Sequence, residues 1–210
     1  MKTVVASTFR DATPYLGRYL DQAYALRRAL DERGDSLEFV WGEGDSIDDT
    51  AAELRLRDVG AVVDVSTGHR YCPSTEDTAA RWANVARFCN ATLDAVPACD
   101  VLLWAEADLI WTADTAVALI DQAAFLGAVV AAPVWHHDGF FYDTWSVRLD
   151  GEKYIPPREG GLVHVDSASG LLAVPAPLIG HRFPDDEACR GWTRQMGGVW
   201  LDTDRQAVQP

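Results

Sequence analysis

Residues 101–111 read VLLWAEADLIW, an apolar run that is followed by two acidic residues. Val101 to Trp104 has the continuous hydrophobicity of a strand buried on both faces, so Glu106 and Asp108 follow the carboxyl end of that strand. If strand geometry continued through them, both side chains would point the same way and would suit a shared hard cation or two ligand hydroxyls. Solvated residues at the start of a loop explain this stretch equally well.

The first third of the chain alternates strand and helix patterns. Short β-branched or apolar runs predict strands at residues 3–7, 37–41 and 61–65. Helical spacing of apolar residues predicts a helix over residues 14–33, and residues 48–50 would open a shorter one. This alternation indicates a parallel, doubly wound sheet, in which ligands bind at the carboxyl ends of the strands.

The pattern changes after residue 133. Before this point, helices are predicted at residues 78–96 and 113–124 and a strand at residues 127–133. After it, strands are predicted at residues 140–148, 162–165, 170–174 and 199–201 and a helix at residues 187–196. Antiparallel strands beside a parallel sheet would account for the second half. We therefore predict an α/β protein with a mixed, mainly parallel, Rossmann-like sheet that is flanked by helices and has a small antiparallel addition in the C-terminal half.

The composition predicts one compact cytoplasmic domain over residues 1–210. No apolar run is long enough to span a membrane, and the start, MKTVVASTFRD, lacks the apolar region of a signal peptide. The cysteines form no C-x-x-C pair, which favours reduced thiols and makes a zinc site improbable. The net charge of −14 argues against nonspecific nucleic-acid binding, although a divalent metal would still allow the chain to hold a diphosphate.

Four separated stretches carry a resemblance that runs along nearly the whole chain. They read STFRDA at residues 7–12, EGDSIDDT at 43–50, EAD at 106–108, and HRFP at 181–184 with Gly197-Gly198 further on. Together they resemble glycosyltransferases of the GT-A fold, which hold a nucleotide-sugar on a Rossmann-like sheet with a metal at an acidic motif. The first and fourth are similar to fungal mannan-polymerase mannosyltransferases, and FYDTW at 141–145 is similar to a segment of fungal capsule mannosyltransferases.

The resemblance implies transfer of a hexose from a GDP- or UDP-linked sugar to an acceptor hydroxyl, with Mn²⁺ or Mg²⁺ as the cofactor. A metal held by Asp108 would stabilise the departing diphosphate. Glu106 stands where the family has aspartate, so it is expected to bind either the metal or hydroxyls of the sugar or ribose. The family's C-terminal metal-binding histidine has no clear counterpart, because the tail places a glutamine about there. His181 is a further candidate for a metal or phosphate contact.

The candidate nucleotide-sugar-binding residues are Thr8, Arg10, Glu43, Asp45, Arg81, Glu106 and Trp145. Glu43 and Asp45 follow the second strand, where carboxylates accept hydrogen bonds from base or ribose, whereas Asp48 and Asp49 are expected to cap a helix. Arg10 would reach the phosphates or form a surface salt bridge. Arg81 would either bind the diphosphate or lie on a solvent-exposed face of its helix. Trp145 would stack on a sugar ring or pack in the core.

The candidate catalytic residues are Asp143, Asp185, Asp186 and Glu187. Asp143 lies in the aromatic segment that is expected to face a sugar. In an inverting enzyme one carboxylate of residues 185–187 would take the acceptor proton, and in a retaining enzyme it would position sugar hydroxyls. The acidic first turn of a helix is the alternative explanation for these three residues.

Two other functions are compatible with the same fold. A sugar-1-phosphate nucleotidyltransferase would have a glycine- and arginine-rich first loop, which residues 7–12 lack. A non-catalytic nucleotide- or carbohydrate-binding module would explain why glutamate replaces the family's aspartate at position 106 and why the family's C-terminal metal-binding histidine has no counterpart. The acceptor of a transferase would be a glycan, a protein, a small molecule or a modified DNA base, and the sequence leaves the oligomeric state open.

Overall fold

The computed structural model describes residues 1–57, 60–66, 68, 79–158, 160–186 and 188–210. Its strands are β1 (Lys2–Phe9), β2 (Ser36–Glu43), β3 (Ala61–Asp64), β4 (Val101–Ala105), β5 (Val130–Ala132), β6 (Val134–His136), β7 (Arg148–Leu149), β8 (Glu152–Lys153), β9 (Leu162–Val165), β10 (Leu171–Pro175), β11 (Val199–Asp202) and β12 (Ala207–Gln209). Its α-helices are α1 (Thr13–Asp31), α2 (Thr50–Leu56), α3 (Ala79–Asp94), α4 (Ala113–Leu126) and α5 (Ala188–Gln195).

One eight-stranded mixed sheet forms the centre, in the order β3-β2-β1-β4-β10-β5-β11-β9. The pairs β1–β2, β1–β4, β2–β3 and β5–β11 are parallel, whereas β10 is antiparallel to β4 and β5, and β9 is antiparallel to β11. A small antiparallel pair, β7–β8, lies apart from this sheet. The predicted mixed, mainly parallel sheet with an antiparallel addition is therefore confirmed.

Strand β4 lies in the middle of the sheet, as its unbroken hydrophobicity predicts. Each of its side chains is at most 3% exposed. Leu103 packs into the core on the side of α1 and α4, whereas Leu102 and Trp104 pack into the core on the side of α3 and α5. Fully burying a leucine contributes roughly 1.5–3 kcal/mol, so the strand that leads to the acidic residues is held firmly from both faces.

Helices α1 and α4 begin and end where local chemistry dictates. Pro14 stands in the first turn of α1, where the missing amide hydrogen costs nothing. Thr112 caps α4, because its side chain accepts a hydrogen bond from the Thr115 amide. Gly127, with φ 63°, ends α4 in the left-handed conformation that glycine adopts without strain.

The structure corrects three predictions. Residues 140–148 do not form the predicted strand, because a turn around Asp143 replaces it and only Arg148–Leu149 is extended. The predicted strand at residues 127–133 is shorter and is followed by a second one: Val130–Ala132 joins the main sheet, and after Pro133 the chain continues as β6. The tail, for which no strand was predicted, forms β12 and pairs with β6 in parallel. The first residue of the helix predicted at residues 78–96 lies outside the described residues.

Within the described ranges, every helix is too short or too polar to cross a lipid bilayer.

Candidate active site

The carboxyl ends of β1, β2, β3 and β4 meet at one edge of the sheet, because these strands are parallel. The antiparallel β10 brings the segment before it to the same edge, with Leu171 opposite Ala105. The Glu106 backbone amide donates to the Gly170 carbonyl at 2.9 Å, and the Gly170 amide donates to Glu106 Oε1 at 3.2 Å. Residues far apart in sequence are thereby joined beside the acidic turn.

A cavity of about 660 Å³ opens at this edge, on the side of the sheet covered by α3 and α5. Its floor and walls combine aromatic rings with a few polar groups. The lining residues are Thr8, Arg81, Trp82, Val85, Cys89, Trp104, Glu106, Tyr142, Asp143, Trp145, Ser169, Phe183 and Cys189. A concave, largely apolar pocket with few convergent polar groups is typical of a small-ligand site.

Glu106 is the partly buried carboxyl group of this cavity. Burial and, to a lesser extent, the charges of Asp108 and Asp143 together raise the pKa of Glu106 to about 8, against the opposing hydrogen bond from Gly170. A strongly perturbed carboxyl group in a cavity is characteristic of functional sites. Glu106, which shares the cavity with Asp143 and is followed by Asp108 in the next turn, is therefore a candidate functional group.

Asp143 is buried and lies in the same cavity. Its Oδ1 accepts a hydrogen bond from the Ser146 amide at 3.2 Å. Its Oδ2 accepts from the Ser169 amide at 3.3 Å and from Ser169 Oγ at 2.9 Å. These bonds explain why the aromatic segment turns instead of forming a strand, and they fix the carboxylate at the wall of the pocket.

Asp108 and Glu106 follow strand β4 without continuing it, so the strand geometry that would point both side chains the same way does not extend to them. Strand β4 ends at Ala105 and the chain turns, since the Leu109 amide donates to the Glu106 carbonyl at 3.3 Å. Oδ2 of Asp108 accepts a hydrogen bond from Nε2 of Gln209 at 3.3 Å. Asp108 thus lies beside the tail glutamine, whereas Glu106 lines the cavity.

Trp145 borders the cavity, but neighbouring side chains cover both of its ring faces. The rings of Trp82 and Trp145 stack at a centroid distance of 4.7 Å with an interplanar angle of 10°. The guanidinium carbon of Arg190 lies 4.0 Å from the Trp145 centroid. Because Trp82 covers one face of the Trp145 ring, Arg190 lies over the other face. Arg81 lies 5.0 Å from the Trp82 centroid. In this arrangement only the ring edge of Trp145 is available to a ligand. A sugar could stack on a face of this ring only if Trp82 or Arg190 moved away.

Arg10, Glu43 and Asp45 surround the turn after β2. Arg10 Nη2 donates to Asp45 Oδ2 at 3.0 Å and Arg10 Nε to the Gly44 carbonyl at 3.2 Å. Asp45 Oδ1 also accepts from Ser66 Oγ at 2.9 Å, so the salt bridge considered for Arg10 is present and ties the loops together. Glu43 is 4% exposed, and its Oε1 has no hydrogen-bond partner in the described part of the chain.

His181, Asp185 and Asp186 are not among the residues that line the Glu106 cavity, although Phe183 of the same segment is. Strand β10 ends with Pro175 opposite Val101, and the Ala176 amide donates to the Asp100 carbonyl at 2.9 Å. The segment that carries His181 therefore leaves from the amino end of β4, whereas Asp108 follows the carboxyl end. Among the described residues no group of three metal ligands includes His181, and a contact between His181 and a metal stays a prediction.

Asp185 and Asp186, the two described members of the predicted base cluster, do not line the Glu106 cavity. Asp185 borders an open groove along α3 beside Asn84 and Arg87, and Asp186 is exposed. Both carboxylates are exposed and precede α5, whose first turn contains no acidic residue, so their catalytic role stays a prediction. Glu187 lies outside the described residues.

Solved structures match this architecture over nearly the whole chain. The mannosyltransferase PcManGT from Pyrobaculum calidifontis, in complex with GDP-Man and Mn²⁺, has a TM-score of 0.61 at 16% identity over 98% of this chain and 56% of its own. S. aureus TarS, residues 1–349, has a TM-score of 0.60 at 14% identity over 99% of this chain and 60% of its own. The chain has the GT-A fold.

A third GT-A structure, glucosyl-3-phosphoglycerate synthase from Mycobacterium tuberculosis with Mn²⁺, UDP-glucose and phosphoglyceric acid, has a TM-score of 0.54 at 16% identity over 99% of this chain and 68% of its own. The chain spans a little over half the length of the first two neighbours. No family model and no curated protein matches the sequence. At such low identity the likeness establishes the GT-A fold and leaves substrates to be argued from the site.

Sequence reasoning missed several lining residues of this GT-A cavity. Trp82, Val85 and Cys89 share one face of α3 and carry a detectable signal, because their spacing of three and four is helical. Ser169 and Cys189 carry no such signal, since they reach the cavity only through the packing of β10 and α5.

Proposed function

We propose that residues 1–210 form one glycosyltransferase domain that moves a hexose from a GDP- or UDP-linked sugar to an acceptor hydroxyl with a divalent metal. One observation carries the proposal: a cavity of about 660 Å³ holds Glu106 and Asp143 at the carboxyl edge of a GT-A sheet. Two structural neighbours support it, since PcManGT was solved with GDP-Man and Mn²⁺ and the mycobacterial synthase with UDP-glucose and Mn²⁺.

The acidic turn fits Mn²⁺ or Mg²⁺. Asp108 offers a carboxylate, and beside it the buried Oε1 of Gln209 lacks a partner in the described part of the chain. Both are hard oxygen donors of the kind these ions take. No three histidine, cysteine, aspartate or glutamate side chains among the described residues could hold one ion. Asp108 and Gln209, with Glu106 as a further candidate, would therefore need phosphate oxygens from the ligand.

When bound, such an ion supplies Lewis-acid stabilisation of the departing diphosphate. In the transfer, the bond between the anomeric carbon and the diphosphate oxygen breaks, the acceptor oxygen bonds to that carbon, and the acceptor hydroxyl gives up its proton. Asp143 is the candidate base in the cavity, and Ser146 and Ser169 hold its carboxylate in place. Glu106 would bind sugar hydroxyls, while the rings of Trp104 and Phe183 limit access of water.

The nucleotide would lie across the ends of β1 and β2. Thr8 lines the cavity, and Glu43 is a buried carboxylate at the end of the neighbouring strand. Carboxylates in this position of Rossmann-like sheets accept hydrogen bonds from base or ribose. Arg10 and Asp45 would support the nucleotide indirectly, because their ion pair holds the loops that follow these strands.

The test is a panel of GDP- and UDP-sugars with Mn²⁺ or Mg²⁺, read by thermal shift and by release of the nucleoside diphosphate. Binding only to the folded state raises stability by RT ln(1 + [L]/Kd). Asp108→Asn should weaken metal-dependent nucleotide binding and abolish release, whereas Asp21→Asn, on the exposed face of α1, should change neither. Absence of both binding and release across the panel would overturn the proposal.

A non-catalytic binding module of the same fold is the second candidate. The observation that favours it is the position of Asp185 and Asp186 outside the cavity, together with the engagement of both Asp143 oxygens in hydrogen bonds. Turnover decides between the two functions. Nucleotide-sugar binding without hydrolysis or transfer, with equal affinity in Asp143→Asn, would identify a binding module.

A further inference from the structure

The Oδ2 atom of Asp143 is saturated with hydrogen bonds. It accepts one from the Ser169 amide at 3.3 Å and one from Ser169 Oγ at 2.9 Å. A carboxylate oxygen has two lone pairs, so Oδ2 has no capacity left for a further donor. A proton can reach Oδ2 only through a group that is already bonded to it. Of the two groups, the hydroxyl of Ser169 is the one that can accept a proton while it passes its own proton on.

The hydroxyl of Ser169 has one lone pair left. A serine hydroxyl provides one donor and two acceptor positions, and the Ser169 donor is committed to Asp143 Oδ2. Ser146 Oγ lies 2.8 Å from Ser169 Oγ, so Ser146 must be the donor in that pair. This bond occupies one acceptor position of Ser169. Within the described part of the chain, the other acceptor position has no donor.

Ser169 is also the most exposed member of this chain of hydrogen bonds. It lines the cavity of about 660 Å³ and is half-buried. Asp143 lines the same cavity but is only 8% exposed, and Ser146 is 1% exposed and is not a lining residue. A hydroxyl group that enters the cavity would therefore meet Ser169 more readily than the carboxylate behind it.

The residues on either side of Ser169 hold it in place. The Gly170 amide donates to Glu106 Oε1 at 3.2 Å, and the Glu106 amide donates to the Gly170 carbonyl at 2.9 Å. On the other side, the Ala168 carbonyl accepts a hydrogen bond from Thr193 Oγ1 at 3.5 Å. The Ser169 hydroxyl is therefore held between two distant segments. A catalytic group that is fixed in this way needs little rearrangement when the substrate reacts.

We propose that Ser169 is a catalytic residue that relays the acceptor proton to Asp143. The acceptor hydroxyl donates to the open lone pair of Ser169 Oγ. Its oxygen bonds to the anomeric carbon while the bond from that carbon to the diphosphate oxygen breaks. The acceptor proton passes to Ser169 Oγ, and the Ser169 proton passes to Asp143 Oδ2. Serine is regenerated, Asp143 becomes neutral, and the diphosphate leaves with the negative charge. The relay rests on the proposed transferase function with Asp143 as the base.

Hydrolysis of the donor tests the relay, because water then takes the place of the acceptor. The probe is the GDP- or UDP-sugar from which the wild type releases nucleoside diphosphate. Ser169→Ala should lower kcat about a hundredfold and leave the donor KM unchanged, because proton transfer is lost and donor binding is not. Ser169→Thr keeps a hydroxyl and should restore kcat to within about tenfold of wild type. Ser36→Ala, at the exposed start of β2, is the matched control and should change neither constant.

The solvent isotope effect separates a relay from a structural role. Two protons move in the relay, so the wild-type single-turnover rate should curve when it is plotted against the fraction of D₂O. A linear wild-type plot, an unchanged kcat in Ser169→Ala, or equal losses in Ser169→Ala and Ser169→Thr would overturn the relay and leave the transferase proposal standing. A wild-type protein that releases no nucleoside diphosphate from any donor would overturn the transferase proposal, and the relay with it.

Discussion

Replacing Asp48 by alanine should destabilise the folded chain, because this carboxylate joins the starts of two helices. Oδ2 of Asp48 accepts a hydrogen bond from the Thr13 amide at 3.0 Å, and Oδ1 accepts from the Thr50 amide at 3.0 Å. Asp49 is the N-cap residue of α2, yet its side chain makes no capping hydrogen bond. Of the two aspartates that the sequence offers as caps, Asp48 is the one that bonds to the helix starts.

The magnitude follows from the pKa of Asp48. Burial acts to raise this pKa, but the hydrogen bonds from Thr50 and Thr13 outweigh it and lower the pKa from 3.8 to about 2. At 1.36 kcal/mol per unit, the ionised carboxylate contributes about 2 kcal/mol to folding. Because the folded pKa is depressed, this contribution is complete above about pH 4 and is lost as the pH falls through 2.

Urea unfolding of the wild type, Asp48→Ala and Asp49→Ala from pH 7 downwards measures this contribution. At neutral pH, Asp48→Ala should lower the free energy of unfolding by about 2 kcal/mol, and Asp49→Ala by about 0.5 kcal/mol or less. The gap between wild type and Asp48→Ala should narrow below about pH 4. An equal loss in Asp49→Ala, or a gap that is independent of pH, would refute the reasoning.

Three other perturbations have defined outcomes. In urea unfolding with EDTA, Glu106→Gln should match wild-type stability near pH 4 and exceed it by up to about 5 kcal/mol near pH 9. The reason is that the pKa of Glu106 is raised from 4.5 to about 8, so ionisation penalises the folded state as the pH rises. Equal stability of the two proteins at both pH values would contradict this. Trp82→Phe should abolish the far-ultraviolet circular dichroism couplet expected of indole rings stacked at 4.7 Å, whereas Trp200→Phe should preserve it. Equal loss in both variants would contradict this. Gly170→Ala should lower the thermal midpoint more than Gly151→Ala. Both glycines have a positive φ, of 89° and 79°, but only at position 170 would the new Cβ lie 2.6 Å from Val134. Equal losses in the two variants would show that the structure accommodates this contact without cost.

Patterns that depend on periodicity were predictable. The helix predicted at residues 14–33 is observed as Thr13–Asp31, because its buried residues keep a helical spacing over the whole length. Strand β4 was predicted from continuous hydrophobicity, since a central strand needs apolar side chains on both faces. Fold class follows from such elements, because alternating strands and helices have few ways to pack.

The site was less predictable, because it depends on where elements end and on contacts between distant segments. Glu106 was placed correctly at the carboxyl end of β4, but its direction relative to Asp108 depended on the turn after Ala105. The aromatic content of residues 140–148 is typical of a strand, whereas the hydrogen bonds of Asp143 impose a turn. The metal contact predicted for His181 stays a prediction, because the path of the chain after β10 is not readable from composition.

The antiparallel direction of β10 has a kinetic consequence. The bond between Gly170 and Glu106 spans 64 residues, so the pocket wall closes only when a late segment of the chain docks beside an early strand. Non-local pairing of this kind carries a loop-closure cost that slows assembly. A nucleotide that binds at this edge would therefore bind only to chains in which β10 has docked. The rate at which nucleotide binding appears during refolding would then measure the rate of that docking step.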